Sequence, residues 1–122
     1  MKSTLSQIEP YVTRDGSTIR ELMHPNVQGN VAQSLAEAEV PVGVETMLHR
    51  HLESEELYFI TQGIGQMTLA DDVFEVVVGD TICIRPGTAH RIQNTGNETL
   101  KILCCCSPAY SHDDTVLLED QA

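Results

Sequence analysis

Apolar and polar positions alternate along most of this chain with a period of two, and the runs are short and bounded by turn-forming residues. That pattern predicts β-strands, whose successive side chains point to opposite faces. A first hairpin is expected over about residues 10–24, with Tyr11-Val-Thr on one side of an Asp15-Gly16 turn and Ser17 to Leu22 on the other. From Val31 to Val40 the alternation is clean: Ala32, Ser34, Ala36 and Ala38 share one side, Gln33, Leu35, Glu37 and Glu39 the other. Pro41 to Gly43 breaks the run, and Glu45 to His51 is the next predicted strand. Leu57–Thr61, Gln66–Ala70, Val73–Val78, Thr81–Ile84, His90–Asn94 and Thr99–Cys106 follow, separated by Gly63, Asp71-Asp72, Pro86-Gly87 and Asn94-Thr-Gly96-Asn97. The one helical cue is Ser111-His-Asp-Asp114, an N-cap with an acidic residue three positions on, ahead of Val116-Leu117-Leu118. It predicts a short helical turn at the C-terminus. Many short, closely spaced strands with almost no helix point to an all-β sandwich or barrel.

At 122 residues, 41% of them hydrophobic, the chain is expected to be one domain spanning 1–122, with a core barrel at about 31–106 and a tail at 107–122. No apolar run approaches the length of a membrane helix, and Met1 to Gly16 lacks the apolar stretch of a signal peptide, so the expected location is cytoplasmic. Eighteen acidic residues against seven basic ones give a formal charge of −11. Such a surface repels phosphate backbones and anionic lipid, so neither nucleic acid nor membrane is expected as a partner. Cys104, Cys105 and Cys106 are consecutive, and neighbouring strand residues face opposite ways, which suits packing as small apolar side chains better than bridging.

Chemistry concentrates in two stretches. Gly43 to Gly63 carries His49, Arg50 and His51, so two imidazoles share one strand face, followed by Glu53, Glu55 and Glu56; Gly79 to Asn94 carries a third histidine, His90. Several nitrogen and oxygen donors on one concave side are what a metal ion requires. His24 and His112 lie outside both stretches and read as surface or capping residues.

These stretches resemble the two motifs of the cupin family. The first fits G-x5-H-x-H-x4-E-x6-G at every fixed position from Gly43 to Gly63. The second fits G-x5-P-x-G-x2-H-x3-N, except that Arg85 stands at the proline position and Pro86 follows it; 15 residues separate the two. The resemblance is to compact single-domain bacterial cupins. It implies a double-stranded β-helix, a jelly-roll barrel, with His49, His51, Glu56 and His90 as metal ligands. Counting back six residues from Gly63 selects Glu56, leaving Glu53 and Glu55 to a solvated edge. Three imidazoles and one carboxylate leave about two open positions on an octahedral ion, which suits Mn, Fe, Ni, Co or Zn as a divalent ion without choosing among them. Each histidine must be neutral to bind, so affinity is expected to fall below about pH 6.5.

Strand alternation around the ion predicts a pocket of Met47, Ile82, Ile84, Ile92 and Asn94, with Tyr58 as proton donor or substrate hydrogen-bond partner. Tyr110 and His112 lie in a tail that can fold across the barrel mouth. The expected function is a metal-dependent enzyme acting on a small organic molecule by isomerase, decarboxylase or lyase, or dioxygenase chemistry. The competing expectation is a module that binds or senses a small ligand without turnover. A homodimer is expected, because an open jelly roll leaves strand edges to cover.

Overall fold

A computed structural model describes residues 1–118. Eleven strands account for about half of it: β1 (Tyr11–Val12), β2 (Thr18–Met23), β3 (Ser34–Val40), β4 (His49–His51), β5 (Glu55–Gln62), β6 (Ile64–Leu69), β7 (Asp72–Val77), β8 (Thr81–Ile84), β9 (His90–Asn94), β10 (Leu100–Ser107) and β11 (Thr115–Leu117). They form two antiparallel sheets, one ordered β1-β2-β3-β10-β5-β8 and the other β11-β4-β9-β6-β7. The non-sequential order is the jelly-roll signature, and the class of fold expected from the alternation is the one observed.

The inward-facing positions follow the alternation closely. Strand β5 buries Glu56, Tyr58 and Ile60 while exposing Glu55, Leu57 and Phe59, and β10 buries Leu100, Ile102, Cys104 and Cys106. Between the sheets Ile60, Met67, Ile84, Ile92, Leu100 and Ile102 form the fully buried centre. A hydrophobic core of this kind stabilises the barrel in proportion to the apolar area removed from water. All four cysteines are free thiols, with Cys104 and Cys106 inward and Cys105 turned the other way.

Two local expectations need correction, and a third holds. The run from Val31 enters the sheet only at Ser34. The run from Glu45 is extended but pairs as strand only at His49–His51, apart from an isolated bridge between Glu45 and Gln93. In the tail, Ser111 caps the expected short helical turn, its Oγ accepting the Asp113 N–H, and the turn is a single 3₁₀ turn at His112–Asp114. Val116 and Leu117 continue as β11 beside β4, with Thr115 opposite His51 and Leu117 opposite His49. Two β-favouring residues with a vacant sheet edge in reach pair there, because a three-residue helix has too few hydrogen bonds to compete.

Candidate metal centre

Strand β4 turns His49 and His51 inward and Arg50 outward, as the spacing requires. Strand β9 begins at His90, whose register partner is His49, so the third imidazole stands directly across the ladder. One ring nitrogen from each of the three lies within 4.8 Å of the others, and all three residues are buried. From the facing sheet β5 brings Glu56, with Oε1 3.2 Å from His51 Nε2 and 3.5 Å from His90 Nε2. Glu53 and Glu55 are exposed.

The protonation pattern of the rings is set by their outer neighbours. His49 Nδ1 lies 2.8 Å from the Met47 carbonyl and His90 Nδ1 2.9 Å from that of Thr88. A carbonyl only accepts, so each Nδ1 carries the proton and each Nε2 turns a lone pair inward. His51 Nδ1 sits 3.0 Å from Thr115 Oγ1, whose own proton goes to the Ser111 carbonyl at 2.9 Å; the hydroxyl therefore accepts from the ring. His51 Nε2, His90 Nε2 and Glu56 Oε1 are all buried without a hydrogen-bond partner. Orphaned acceptors converging on one point are costly unless something positive sits among them. The three histidines can hold a metal ion, and the donor set fits a first-row divalent cation.

Charge in the site follows burial. Burial lowers the pKa of His49, with the nearby His90 ring adding to the effect, so its neutral, ligating form persists in mild acid. In the metal-free site burial alone would raise the pKa of Glu56, but once a proton sits on Nε2 the His51 and His90 rings donate to it and attract it, outweighing burial and holding the carboxyl at about 2. Cys106 Sγ donates to Glu56 Oε2 at 3.3 Å, which leaves Oε1 for the centre. Burial pushes the Tyr58 hydroxyl well above its ordinary value, so at neutral pH it is a proton donor and not a base. Its ring lies 6.0 Å from that of His90.

Beside the donors is a cavity enclosing about 40 Å³, room for a few water molecules or a small group of heavy atoms. It exists because its floor is built from small side chains: Ser34, Ala36 and Ala38 of β3 beside Cys104 and Cys106 of β10. Tyr58 and Glu56 form one wall, and Tyr11, Glu21 and Tyr110 close the other end. The wall expected from Met47, Ile82, Ile84, Ile92 and Asn94 is not the wall of this cavity. Ile82, Ile84 and Ile92 belong to the central core. Asn94 is buried as a structural clamp, its amide donating to the carbonyls of Val40 and Glu98. Met47 contributes its carbonyl to His49. Ile82, Ile84, Ile92 and Asn94 do point inward, but Ile82 and Ile84 lie level with Tyr58 and Glu56 on β8, across β5 from the small residues of the cavity floor, and the Met47 side chain is only half-buried.

Several residues that the motifs do not mark complete the centre. Asp15, in the tip of the N-terminal hairpin, brings Oδ2 to 3.8 Å from His49 Nε2, while its Oδ1 accepts from Ser17 N–H and Oγ. The tip is tied down by the Met47 N–H, which donates to the Asp15 carbonyl. In sequence Asp15-Gly16 is an ordinary turn, and nothing local reveals that the turn tips into the barrel mouth. Tyr110 packs its ring 5.8 Å from that of His51, and its hydroxyl meets Thr13 and His112 at 3.0 Å each. The tail thus does cross the mouth. His24 is buried, with Nδ1 accepting the Asn26 N–H and Nε2 2.8 Å from the Tyr110 carbonyl, a capping role.

With this geometry in view, the kinship is direct: the chain belongs to the cupin family, whose domain model matches residues 36–106. It is 58% identical over 119 residues to an uncharacterized protein of Methanocaldococcus jannaschii, covering 98% of this chain and 95% of that one. It is 32% identical over 84 residues to the oxalate-binding protein of Thermotoga maritima, covering 69% of this chain and 65% of that protein. Among solved structures, a predicted oxalate decarboxylase of Thermotoga maritima superimposes with a TM-score of 0.77 at 26% identity, covering 88% of this chain and 99% of that one.

Proposed function

We propose that this cupin is a metal-dependent enzyme acting on a small organic molecule, with His49, His51, His90 and Glu56 as the ligands of a divalent first-row ion and Tyr58 as the proton donor. One observation carries the reading: three imidazole lone pairs, each fixed by a proton parked on the outer nitrogen, converge with an unpartnered carboxylate oxygen. When bound there, such an ion supplies a concentrated positive charge that polarises a carbonyl or enolate, or supports dioxygen chemistry. The chain supplies the rest. Ala36, Ala38, Cys104 and Cys106 surround the adjoining space with small, weakly polar side chains, and such a low-dielectric surround strengthens electrostatic interactions inside it. Tyr58 holds its proton at the cavity wall, where an isomerisation, a decarboxylation or a lyase reaction needs one.

Protein purified without chelator should carry about one equivalent of Mn, Fe, Co, Ni or Zn by elemental analysis, and His49→Ala should lose it while staying folded. A wild type that holds no such ion, even after reconstitution, removes the basis of the reading. A screen of small ketones, hydroxy acids and phenols on the loaded protein then looks for turnover. The second reading is a binding module, which the likeness to an oxalate-binding protein favours. Metal-loaded protein that binds a small molecule tightly and releases it unchanged would decide for that alternative.

The proposal includes a homodimer. Leu35, Leu57 and Phe59 stand exposed on the outer face of the six-stranded sheet, at 37%, 42% and 41%, an apolar surface that a second copy can cover. Light scattering that returns 13.4 kDa at micromolar protein would reject it.

A further inference from the structure

The cavity that adjoins the three histidines contains three carboxylates, Asp15, Glu21 and Glu56, and among the described residues its lining has no lysine or arginine. The nearby basic side chains are committed elsewhere. Arg14, next to Asp15 in sequence, donates to the carbonyls of His112 and Thr115; Arg20 pairs with Glu39 at 2.9 Å; Arg91 pairs with Glu45 at 3.5 Å. Glu56 faces the imidazoles; among the described residues no lysine or arginine pairs with Asp15 or Glu21, whose charged neighbours are only imidazoles, His49 beside Asp15 and His24 and His112 near Glu21. Asp15 has Oδ1 satisfied by Ser17 and leaves Oδ2 facing the centre. Glu21 accepts from the Tyr11 hydroxyl at 3.3 Å through Oε1, while its Oε2 is buried with no hydrogen-bond partner.

The positions of these groups define a direction. Glu21 on β2, Ala36 on β3, Cys104 on β10 and Tyr58 on β5 lie in one row across the sheet, each opposite the next in register. Three strand spacings, about 14 Å, separate the two ends of that row. The two residues between them are small, which leaves a slot running from the Tyr58 and histidine end to Glu21. Glu21, Tyr11 and Tyr110 also line the groove outside, so Glu21 stands where the slot meets solvent.

We propose that this slot takes a ligand whose inner end meets the metal centre and whose outer end carries a cationic or hydrogen-bond-donating group received by Glu21, with Asp15 and Glu21 together disfavouring dicarboxylates. The proposal rests on the metal reading above and adds the class of ligand. An orphaned buried carboxylate oxygen is satisfied by a donor arriving with the ligand. A second negative charge at the outer end of the slot would face these carboxylates across a medium of low dielectric with no lysine or arginine in the lining to offset them. This cavity therefore differs in preference from a site for a small dianion such as oxalate.

The test uses Co(II)-loaded protein, whose visible spectrum reports ligation, and two hydroxamates that share one metal-binding head. One is 4-aminobutanehydroxamic acid, with an ammonium tail; the other is succinic monohydroxamic acid, with a carboxylate tail. Wild type should bind the ammonium compound more tightly by about tenfold or more. Glu21→Gln should shrink that preference several-fold, and Asp15→Asn, a second and independent variant, should strengthen binding of the carboxylate compound. Equal or tighter binding of the carboxylate compound by wild type overturns the proposal without any variant. So does a preference that survives both substitutions intact, or Co(II)-loaded protein that binds neither compound. Failure of wild type to retain Co(II), measured first, sinks the metal reading and the ligand class with it.

Discussion

Replacing Thr115 by valine tests whether the histidine trio is a metal site held ready by its outer contacts. The substitution keeps the volume and the β-branched shape, so β11 still pairs with β4, but it deletes the only acceptor of the His51 Nδ1 proton. Thr115 is 5% exposed and His51 3%, so water does not replace the lost hydroxyl freely. An N–H left unpaired in such a place costs about 1–3 kcal/mol. The ring has an escape: moving its proton to Nε2 gives a donor 3.2 Å from Glu56 Oε1, an adequate hydrogen-bond distance. That escape consumes the lone pair and the carboxylate oxygen that a cation needs. Metal affinity should therefore fall about 10–100-fold, the usual scale for losing an outer partner of a ligating histidine. Thr115→Ser, which keeps the hydroxyl, should lie within about threefold of wild type on the same scale. The assay is competition for Zn(II) or Co(II) against a chromophoric chelator, with urea unfolding of the metal-free forms alongside. A valine variant that binds metal as tightly as wild type would refute the argument that Thr115 sets the His51 tautomer.

Other consequences are equally direct. Glu56 has a folded-state pKa of about 2 against an ordinary 4.5, so the stability it contributes to the metal-free protein is present above pH 4.5 and lost as pH falls toward 2. The shift corresponds to something on the order of 3 kcal/mol, and Glu56→Gln should flatten that part of an acid-unfolding profile followed by circular dichroism. His49, whose pKa burial lowers below 6.5, adds a loss of the same sign at milder acidity, because the unfolded chain takes the proton first. In β6, an added Cβ at Gly65 would stand 2.9 Å from the Gln93 carbonyl oxygen and 3.0 Å from Leu100 Cδ2, so Gly65→Ala should destabilise by about 1–3 kcal/mol in urea, and an unchanged midpoint would contradict the packing described. On any substrate whose turnover includes proton transfer, Tyr58→Phe should slow the reaction by about 10²–10⁴, whereas an unchanged rate would reduce Tyr58 to a wall residue.

What could be read from the chain alone divides along a physical line. Period-two alternation marked which side chains of β5, β9 and β10 point inward, and the two histidine stretches, with Glu56 added by the cupin resemblance, marked donors that strands from both sheets bring together. Inward direction does not say between which strands a cavity opens. Ile82 and Ile84 obey the same alternation as Tyr58 and stand level with Tyr58 and Glu56, yet they lie on β8, across β5 from the small residues of β3 and β10, because strand order is set by pairings between segments distant in sequence. The pairing of β3 with β10 is of this kind: until Ala36 is known to oppose Cys104, their smallness says nothing about empty space.

The groups that give this cupin its particular character come from outside the two motifs. Asp15 and Glu21 arrive on the N-terminal hairpin, and Tyr110 and Thr115 on the C-terminal segment. Neither segment carries a local pattern of chemistry, since an Asp-Gly turn and a Ser-capped turn are ordinary ends of elements. They reach the centre through tertiary ties: the Asp15 carbonyl to the Met47 N–H, Arg14 to the His112 and Thr115 carbonyls, and Thr13 to the Tyr110 hydroxyl. These ties also join the two segments to each other, so the hairpin and the tail form a single rim over the histidines. A barrel shared across a family can hold the ion in one way while such a rim varies, and the rim is where charge and shape meet the incoming molecule. Here it presents carboxylates and tyrosines with the arginine turned to backbone carbonyls, and for that reason ligand preference should follow substitutions at Asp15, Glu21 and Tyr110 more closely than substitutions anywhere in the strands that carry the histidines.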